Sequence, residues 1–260
     1  MRSTIDTEAL TRVALDAAEE AAILIMRGFR SRPATRTKGH EADLVTEFDE
    51  AAEQLVRARL AERSSLPVVG EEGGGDLTDA PTWVIDPIDG TTNFAHGHPC
   101  FAVSIGLMVA GLPEAGAVVA PALQTRWHGT RAGAFRNGKA IRVSDRANLG
   151  QSLLATGFAP NQEPKDASHN LRAFAELLPV ARGIRRDGAA SLDLCHTADG
   201  TFDAYWERGL HAWDVAGGAA IALGAGATIT DLAGGPPDYR IGYLAVSNGR
   251  IHDALLAHLR

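Results

Sequence analysis

The sequence predicts a mixed α/β chain of 260 residues in two halves. Two helices lie against an antiparallel sheet in the first, and helices flank further strands in the second. Three observations predict this. Residues 7–30 carry Leu10, Val13, Ala14, Ala17, Ala21 and Leu24 at spacings of 3 and 4, the repeat of an amphipathic helix. Asn137-Gly138 separates two short apolar runs, and this dipeptide suits the positive φ angles of a two-residue hairpin. Beyond a turn-rich shift near Ser144, short apolar runs alternate with helical patterns, which sets helices on the faces of a sheet. That shift divides the chain into 1–143 and 144–260, which we expect to form one integrated unit.

Hydrophobic residues make up 45% and charged residues 22% of the chain, proportions that fit a globular fold rather than a disordered or fibrous one. A net charge of −7 gives no basic footprint for direct nucleic-acid binding. Cys100 and Cys195 form no disulfide framework and suit a reducing compartment; both read as small core residues. Asp16, Glu19 and Glu20 interrupt the first helical stretch, so it lacks the apolar core of a signal peptide. No run approaches the ~18 consecutive apolar residues of a membrane span. A cytoplasmic protein without membrane contact is expected.

In chain order, the first helix ends at Gly28 and the Arg30-Ser31-Arg32-Pro33 stretch. Residues 34–42 are polar and include Thr37-Lys38-Gly39-His40, which reads as a mobile loop or loose hairpin. Asp43-Leu44-Val45-Thr46 leads into a second helix reaching about residue 64. Thr46 is its N-cap and Asp49 stands three residues on, a capping box with Asp for the usual Glu or Gln; capping alone accounts for Asp49. Residues 67–69 form a strand running into Gly70-Glu71-Glu72-Gly73, where an exposed acidic turn explains the two acids more readily than a ligand pair does. Strands are expected at 101–110 and 116–120 around a Gly111-Leu112-Pro113 turn. The hairpin follows at 133–135 and 141–143.

In the second half, strand 152–157 precedes a helix at 166–178 stopped by Pro179. Arg185-Arg186-Asp187-Gly188 follows a short strand and precedes a helix at 189–198. Strand 202–206 leads to Glu207-Arg208-Gly209. A helix beginning near Asp214 is rich in Ala and Gly, so it can pack closely on a sheet or another helix. Asp214 there has a sufficient explanation as a cap or first-turn acid. Strands at 228–230 and 244–247 and a helix at 251–259 complete the chain.

One stretch asks for more than burial. The apolar run 83–85 enters Asp86-Pro87-Ile88-Asp89-Gly90-Thr91-Thr92-Asn93-Phe94. Pro87 is expected to stop the strand ladder and set a turn. Two carboxylates held so close repel unless a cation lies between them, and hard oxygen ligands suit Mg²⁺. Gly90-Thr91-Thr92 offers backbone N–H groups to an anion if a helix starts there. An Asp-Pro turn followed by an Asx cap is the competing explanation.

Taken together, Asp43-Leu44-Val45-Thr46-Glu47-Phe48-Asp49, Gly70-Glu71-Glu72, the Asp86 to Phe94 motif and Trp213-Asp214-Val215-Ala216-Gly217 resemble the inositol monophosphatase family of magnesium-dependent phosphomonoesterases. They stand in the family's order and at similar spacing, and the resemblance spans nearly the whole chain. It implies a layered αβαβα sandwich and a homodimer. It further implies that Glu71, Asp86, Asp89 and Asp214, with the Ile88 carbonyl, hold two Mg²⁺ ions and a weaker third. Asp49, Thr91 and Glu71 would align and deprotonate a metal-activated water for in-line attack on phosphorus. Gly90 and Thr91 would donate to phosphate, while Asp89, Glu207, Gly188 and Ala190 surround the substrate. Lys38 falls on the loop that closes over the metals.

The implied substrate is a small phosphorylated polyol, inositol 1-phosphate before histidinol phosphate, a sugar phosphate or a nucleotide. A protein-binding role with the transcription machinery is the alternative of a different class. Ala189 and Ala190 stand where relatives often carry Ser or Thr, so one hydroxyl near the substrate is missing. His96, His98 and His211 lie near the motifs and read as structural histidines rather than ligands.

Overall fold

Side-chain oxygens start both long helices of the first half. The structure, a computed structural model, describes residues 5–37, 44–158 and 164–260. Asp6 accepts the Ala9 amide at 2.9 Å and opens α1 (Thr7–Met26), shorter than its apolar pattern because residues 27–30 turn away. β1 (Thr35–Thr37) pairs antiparallel with β2 (Leu44–Thr46). Thr46 ends β2 and caps α2 (Glu47–Arg63), with Asp49 closing the expected capping box.

β3 (Val68–Gly70) runs parallel to β4 (Thr82–Asp89), and the short helix α3 (Thr91–Ala95) follows. β5 (Ala102–Val109), β6 (Leu112–Ala120), β7 (Thr125–Thr130), β8 (Gly133–Arg136) and β9 (Lys139–Ile141) continue as an antiparallel meander. These make a seven-stranded sheet in the order β3-β4-β5-β6-β7-β8-β9.

Two proline expectations are corrected. Pro87 does not end its strand: Asp86 faces Ser104 and Asp89 faces Ala102, leaving Pro87 and Ile88 against Val103 alone. The ladder absorbs the proline as a bulge, where a missing N–H does no harm. Pro113 likewise lies within β6, opposite Met108 beside a register shift. The turn is Ala110-Gly111, whose φ angles are 52° and 77°. The Asn137-Gly138 turn is present, with φ of 49° and 75°. β7 had no expectation; its Thr, His and Gly dilute the alternation that marks a strand.

The second half supplies β10 (Leu153–Thr156), α4 (Pro164–Leu177), β11 (Gly183–Arg185), α5 (Ala190–Ala198), β12 (Ala204–Glu207), α6 (Ala212–Gly224), β13 (Thr228–Thr230), β14 (Leu244–Ser247) and α7 (His252–Leu259). Its five strands lie in the order β11-β10-β12-β14-β13. β11, β10 and β12 are parallel, and β14 and β13 complete the sheet antiparallel.

Period-two alternation sends the buried apolar residues of the central strands to one of three cores. Trp83 and Ile85 pack with Ala14, Ala21, Ile25, Val56 and Leu60 under α1 and α2. Val84, between them, points the other way and joins Trp127, Leu192, Val215, Tyr205 and Val246 in a central core. Trp206 and Ala245 face outward onto Leu177, Leu255 and Leu259 of α4 and α7. The layers are α1/α2, sheet, α5/α6, sheet, α4/α7, the expected αβαβα sandwich. α6 packs on both neighbours that its composition allowed. A Cβ on Gly116 would fall 2.1 Å from the Gly217 carbonyl oxygen, and one on Gly218 would fall 2.7 Å from Leu194 Cβ.

Candidate metal and phosphate site

The bulge in β4 carries Asp86 and Asp89 to the edge of a cavity of about 670 Å³. The N-terminus of α6 carries Asp214 to the same place, and Glu71 reaches it from the end of β3. One oxygen each of Asp86, Asp89 and Asp214 lie within 4.8 Å of one another. Asp86 is 2% and Asp89 6% exposed, so solvent screens their mutual repulsion poorly.

Burial, reinforced by the charges of Glu71, Asp89 and Asp214, pushes Asp86 far above the usual carboxylate range. Asp214 is raised by burial and by Glu71, against the His211 amide that donates to it at 2.6 Å. Asp89 rises only to about 6, because burial is opposed by Ser191 and Ala190. Ser191 donates its amide at 2.8 Å and its hydroxyl at 2.5 Å to Asp89 Oδ2, and the Ala190 amide reaches Oδ1 at 3.2 Å. Asp89 thus caps α5 from the opposite half of the chain. Buried carboxylates converging this closely, all hard oxygen donors, are the set a divalent cation such as Mg²⁺ stabilises.

Asp49 divides its two oxygens. Oδ2 accepts the Thr46 amide at 2.8 Å and hydroxyl at 2.6 Å, while Oδ1 lies 3.0 Å from Thr91 Oγ1. The same hydroxyl is 3.0 Å from the Ile88 carbonyl. One side chain therefore closes the capping box and also bonds the hydroxyl of a residue that lines the cavity. Burial raises the Asp49 pKa, and its bonds to Thr46 and Thr91 oppose that rise. Gly90, with φ of 90°, is the N-cap of α3, and Gly90, Thr91 and Thr92 line the cavity.

Glu207, the last residue of β12, lines the cavity with Gly188, Ala189, Ala190 and Arg186. Burial pushes its pKa to about 7, against the Tyr205 hydroxyl, which donates to it at 2.6 Å, and the charge of Arg186. Gly157 makes room for it: a Cβ there would lie 1.9 Å from Glu207 Oε2.

Among the described residues, then, Asp49, Glu71, Asp86, Ile88, Asp89, Gly90, Thr91, Gly188, Ala190, Glu207 and Asp214 lie in or against one cavity. Lys38 lies outside the described residues. His96 and His211 line the cavity, His211 stacking on Trp213 with ring centroids 4.7 Å apart. Cys195 is buried as expected, whereas Cys100 is only half-buried.

Sequence reasoning missed two supports. Asn93 Nδ2 donates to the Cys100 and Asp187 carbonyls at 2.6 and 2.7 Å, tying α3 to the turn before α5. Ser191 was the other; a serine in the first turn of a helix, three residues after Gly188, was its only signal.

Converging carboxylates beside exposed backbone amides in one cavity suit hydrolysis of a phosphoric monoester with a divalent cation. The model of the "Inositol monophosphatase family" matches residues 6–260. "Nus factor SuhB" of Pseudomonas aeruginosa is 40% identical over 262 residues, covering 96% of this chain and 96% of its own. "Inositol-1-monophosphatase" of Synechocystis is 40% identical over 222 residues, 84% of this chain and 77% of its own. The solved inositol monophosphatase of Anabaena superposes with a TM-score of 0.87 at 34% identity, covering 98% of this chain and 96% of that one. The chain belongs to the inositol monophosphatase family. Its members hydrolyse small phosphomonoesters and depend on metal. Among the described residues, no helix is long and apolar enough to cross a membrane.

Proposed function

We propose that this chain hydrolyses a small phosphorylated polyol, inositol 1-phosphate before any other, using two Mg²⁺ ions and a weaker third. The observation that carries the reading is the convergence of Asp86, Asp89 and Asp214 on one point in the cavity that Thr91 and Glu207 also line. Glu71, Asp86, Asp89, Asp214 and the Ile88 carbonyl would hold the ions. When bound, Mg²⁺ supplies Lewis acidity toward phosphate oxygens and water.

The chain's own groups do the rest. The Thr91 hydroxyl, poised between Asp49 Oδ1 and the Ile88 carbonyl, accepts a proton from the attacking water as its own passes to Asp49 Oδ1. The raised pKa of Asp49 favours that transfer. Glu71 helps align the water. Gly90 and Thr91 amides receive the phosphate at the start of α3. Glu207 accepts hydrogen bonds from substrate hydroxyls, and Asp89, Gly188 and Ala190 shape the space around the ring. The halves 1–143 and 144–260 act as one unit, because Asp89 of the first caps a helix of the second. A homodimer in the cytoplasm completes the reading, on family likeness.

Within the same class, histidinol phosphate is the alternative substrate, whose amine would pair with Glu207 or Asp187. A second role, as a protein-binding partner of the transcription machinery, draws support from the name of the relative in Pseudomonas aeruginosa. The test is phosphate release with Mg²⁺ from inositol 1-phosphate, histidinol phosphate, fructose 1,6-bisphosphate, NADP and 3′-phosphoadenosine 5′-phosphate, with Asp89→Asn as control. Inositol 1-phosphate should show the highest kcat/KM, and the variant should lose nearly all turnover. Magnesium-independent turnover, or full activity in the variant, would refute the assignment.

A further inference from the structure

Ser191 is fully buried in the first turn of α5, and its hydroxyl must be satisfied there. A helical serine usually returns its proton to the carbonyl four residues back. Here that carbonyl belongs to Asp187 and already accepts Asn93 Nδ2 at 2.7 Å. The hydroxyl instead donates to Asp89 Oδ2 at 2.5 Å, and the Ser191 amide donates to the same oxygen at 2.8 Å. A carboxylate oxygen has two lone-pair sites, so Ser191 alone fills Oδ2. Oδ1 receives one longer bond, from the Ala190 amide at 3.2 Å, and keeps a lone pair free.

We propose that Ser191 is a positioning residue for the metal site: its hydroxyl takes the lone pair of Asp89 Oδ2 that the amide leaves open, and so leaves Oδ1 as the single oxygen offered to the cation. The proposal rests on the reading of Asp89 as a metal ligand. The two amides, one on each oxygen, hold Asp89 against α5 and set the plane of its carboxylate, but they leave a lone pair open on both oxygens. The hydroxyl, approaching Oδ2 from a second direction, closes that oxygen to the cation. Donors of this kind behind a ligating carboxylate typically change metal affinity by about 10-fold or more when removed. Ser191 also belongs to the half of the chain opposite Asp89, so the ligand is oriented only when α5 is docked.

The test is Mn²⁺ binding to the metal-free protein, read as free Mn²⁺ by electron paramagnetic resonance, since Mn²⁺ shares the oxygen preference of Mg²⁺. Ser191→Ala should weaken Mn²⁺ binding about 10-fold and raise the Mg²⁺ concentration for half-maximal activity alike, with KM for substrate unchanged at saturating Mg²⁺. Ser191→Cys keeps the volume with a poor donor and should share the weakened binding; Ser191→Thr keeps the hydroxyl and should restore it. The cysteine variant carries the test if the alanine one fails to fold.

Folded Ser191→Ala or Ser191→Cys protein that binds Mn²⁺ within about twofold of wild type, while Asp89→Asn loses binding, overturns this inference alone. A merely structural serine would lower Tm without moving the Mn²⁺ affinity. Wild-type protein that takes up no Mn²⁺ would overturn the metal reading beneath it.

Discussion

Replacing Glu207 by Gln separates what the fold tolerates from what the substrate needs. Glu207 is 5% exposed, and burial raises its pKa from 4.5 to about 7. A carboxylate with a raised folded pKa binds its proton more tightly folded than unfolded. Its contribution to stability is full below about pH 4.5 and is lost as pH rises through about 7. At about 1.4 kcal/mol per pKa unit, the ionised form opposes folding by roughly 3 kcal/mol above neutrality. Gln never ionises, and its carbonyl can accept the Tyr205 hydroxyl that now lies 2.6 Å from Glu207.

Glu207→Gln should therefore match wild type near pH 4.5 and exceed it by roughly 3 kcal/mol near pH 8. For a chain of this size that is about 6–12 °C in Tm. Under the proposed role of Glu207, activity should move the other way: losing a charged acceptor for a substrate hydroxyl removes about 1.5–3 kcal/mol, or roughly 10–150-fold in kcat/KM for inositol 1-phosphate. The assay is thermal melting in EDTA at both pH values, beside steady-state kinetics. A Tm gain equal at both pH values, or none near pH 8, would refute the reasoning.

Gly157→Ala drives a Cβ to within 1.9 Å of Glu207 Oε2; KM for the substrate should rise about 10-fold as the carboxylate is displaced, checked by initial rates. Asp203 is fully buried and accepts the Leu153 amide at 2.7 Å, Arg146 at 3.2 Å and the Ser144 hydroxyl. Asp203→Asn should destabilise by about 3 kcal/mol in urea denaturation while leaving turnover per folded molecule unchanged. Removing divalent ions with EDTA should lower Tm, and millimolar Mg²⁺ should restore it by mass action. The Mg²⁺ effect should shrink in acid, where protons compete for Asp86 and Asp214, both raised far above the usual carboxylate range by burial, and for Asp89, raised to about 6 in the metal-free protein. A Tm indifferent to Mg²⁺ near neutral pH would count against the cluster as a metal site.

The chain's local order was legible because it is written in local chemistry. The repeat of α1, the Thr46–Asp49 capping box, the Asn137-Gly138 hairpin and the alternating second half each depend on residues within a few positions of one another. Most residues that the structure gathers in the candidate cavity were legible as well, in four motifs, because carboxylates and glycines at set offsets are what a cation and a phosphate would demand. Tertiary structure alone decided the rest. Pro87 reads as a strand end, yet β5 pairs past it and makes it a bulge, since cross-strand hydrogen bonds outweigh one missing donor.

How closely α6 would approach its neighbours depended on Gly116 of β6 and Leu194 of α5, both distant in sequence. Asp89 could be named from its motif, but not that two residues about a hundred positions later would cap with it and orient it. Nor could sequence place Gly157 under Glu207. Propensity and capping act over a turn or two of chain, so the residues themselves reveal them. Burial, shared lone pairs and the room for a single Cβ arise only when distant segments meet, and these set the charge and geometry of the site.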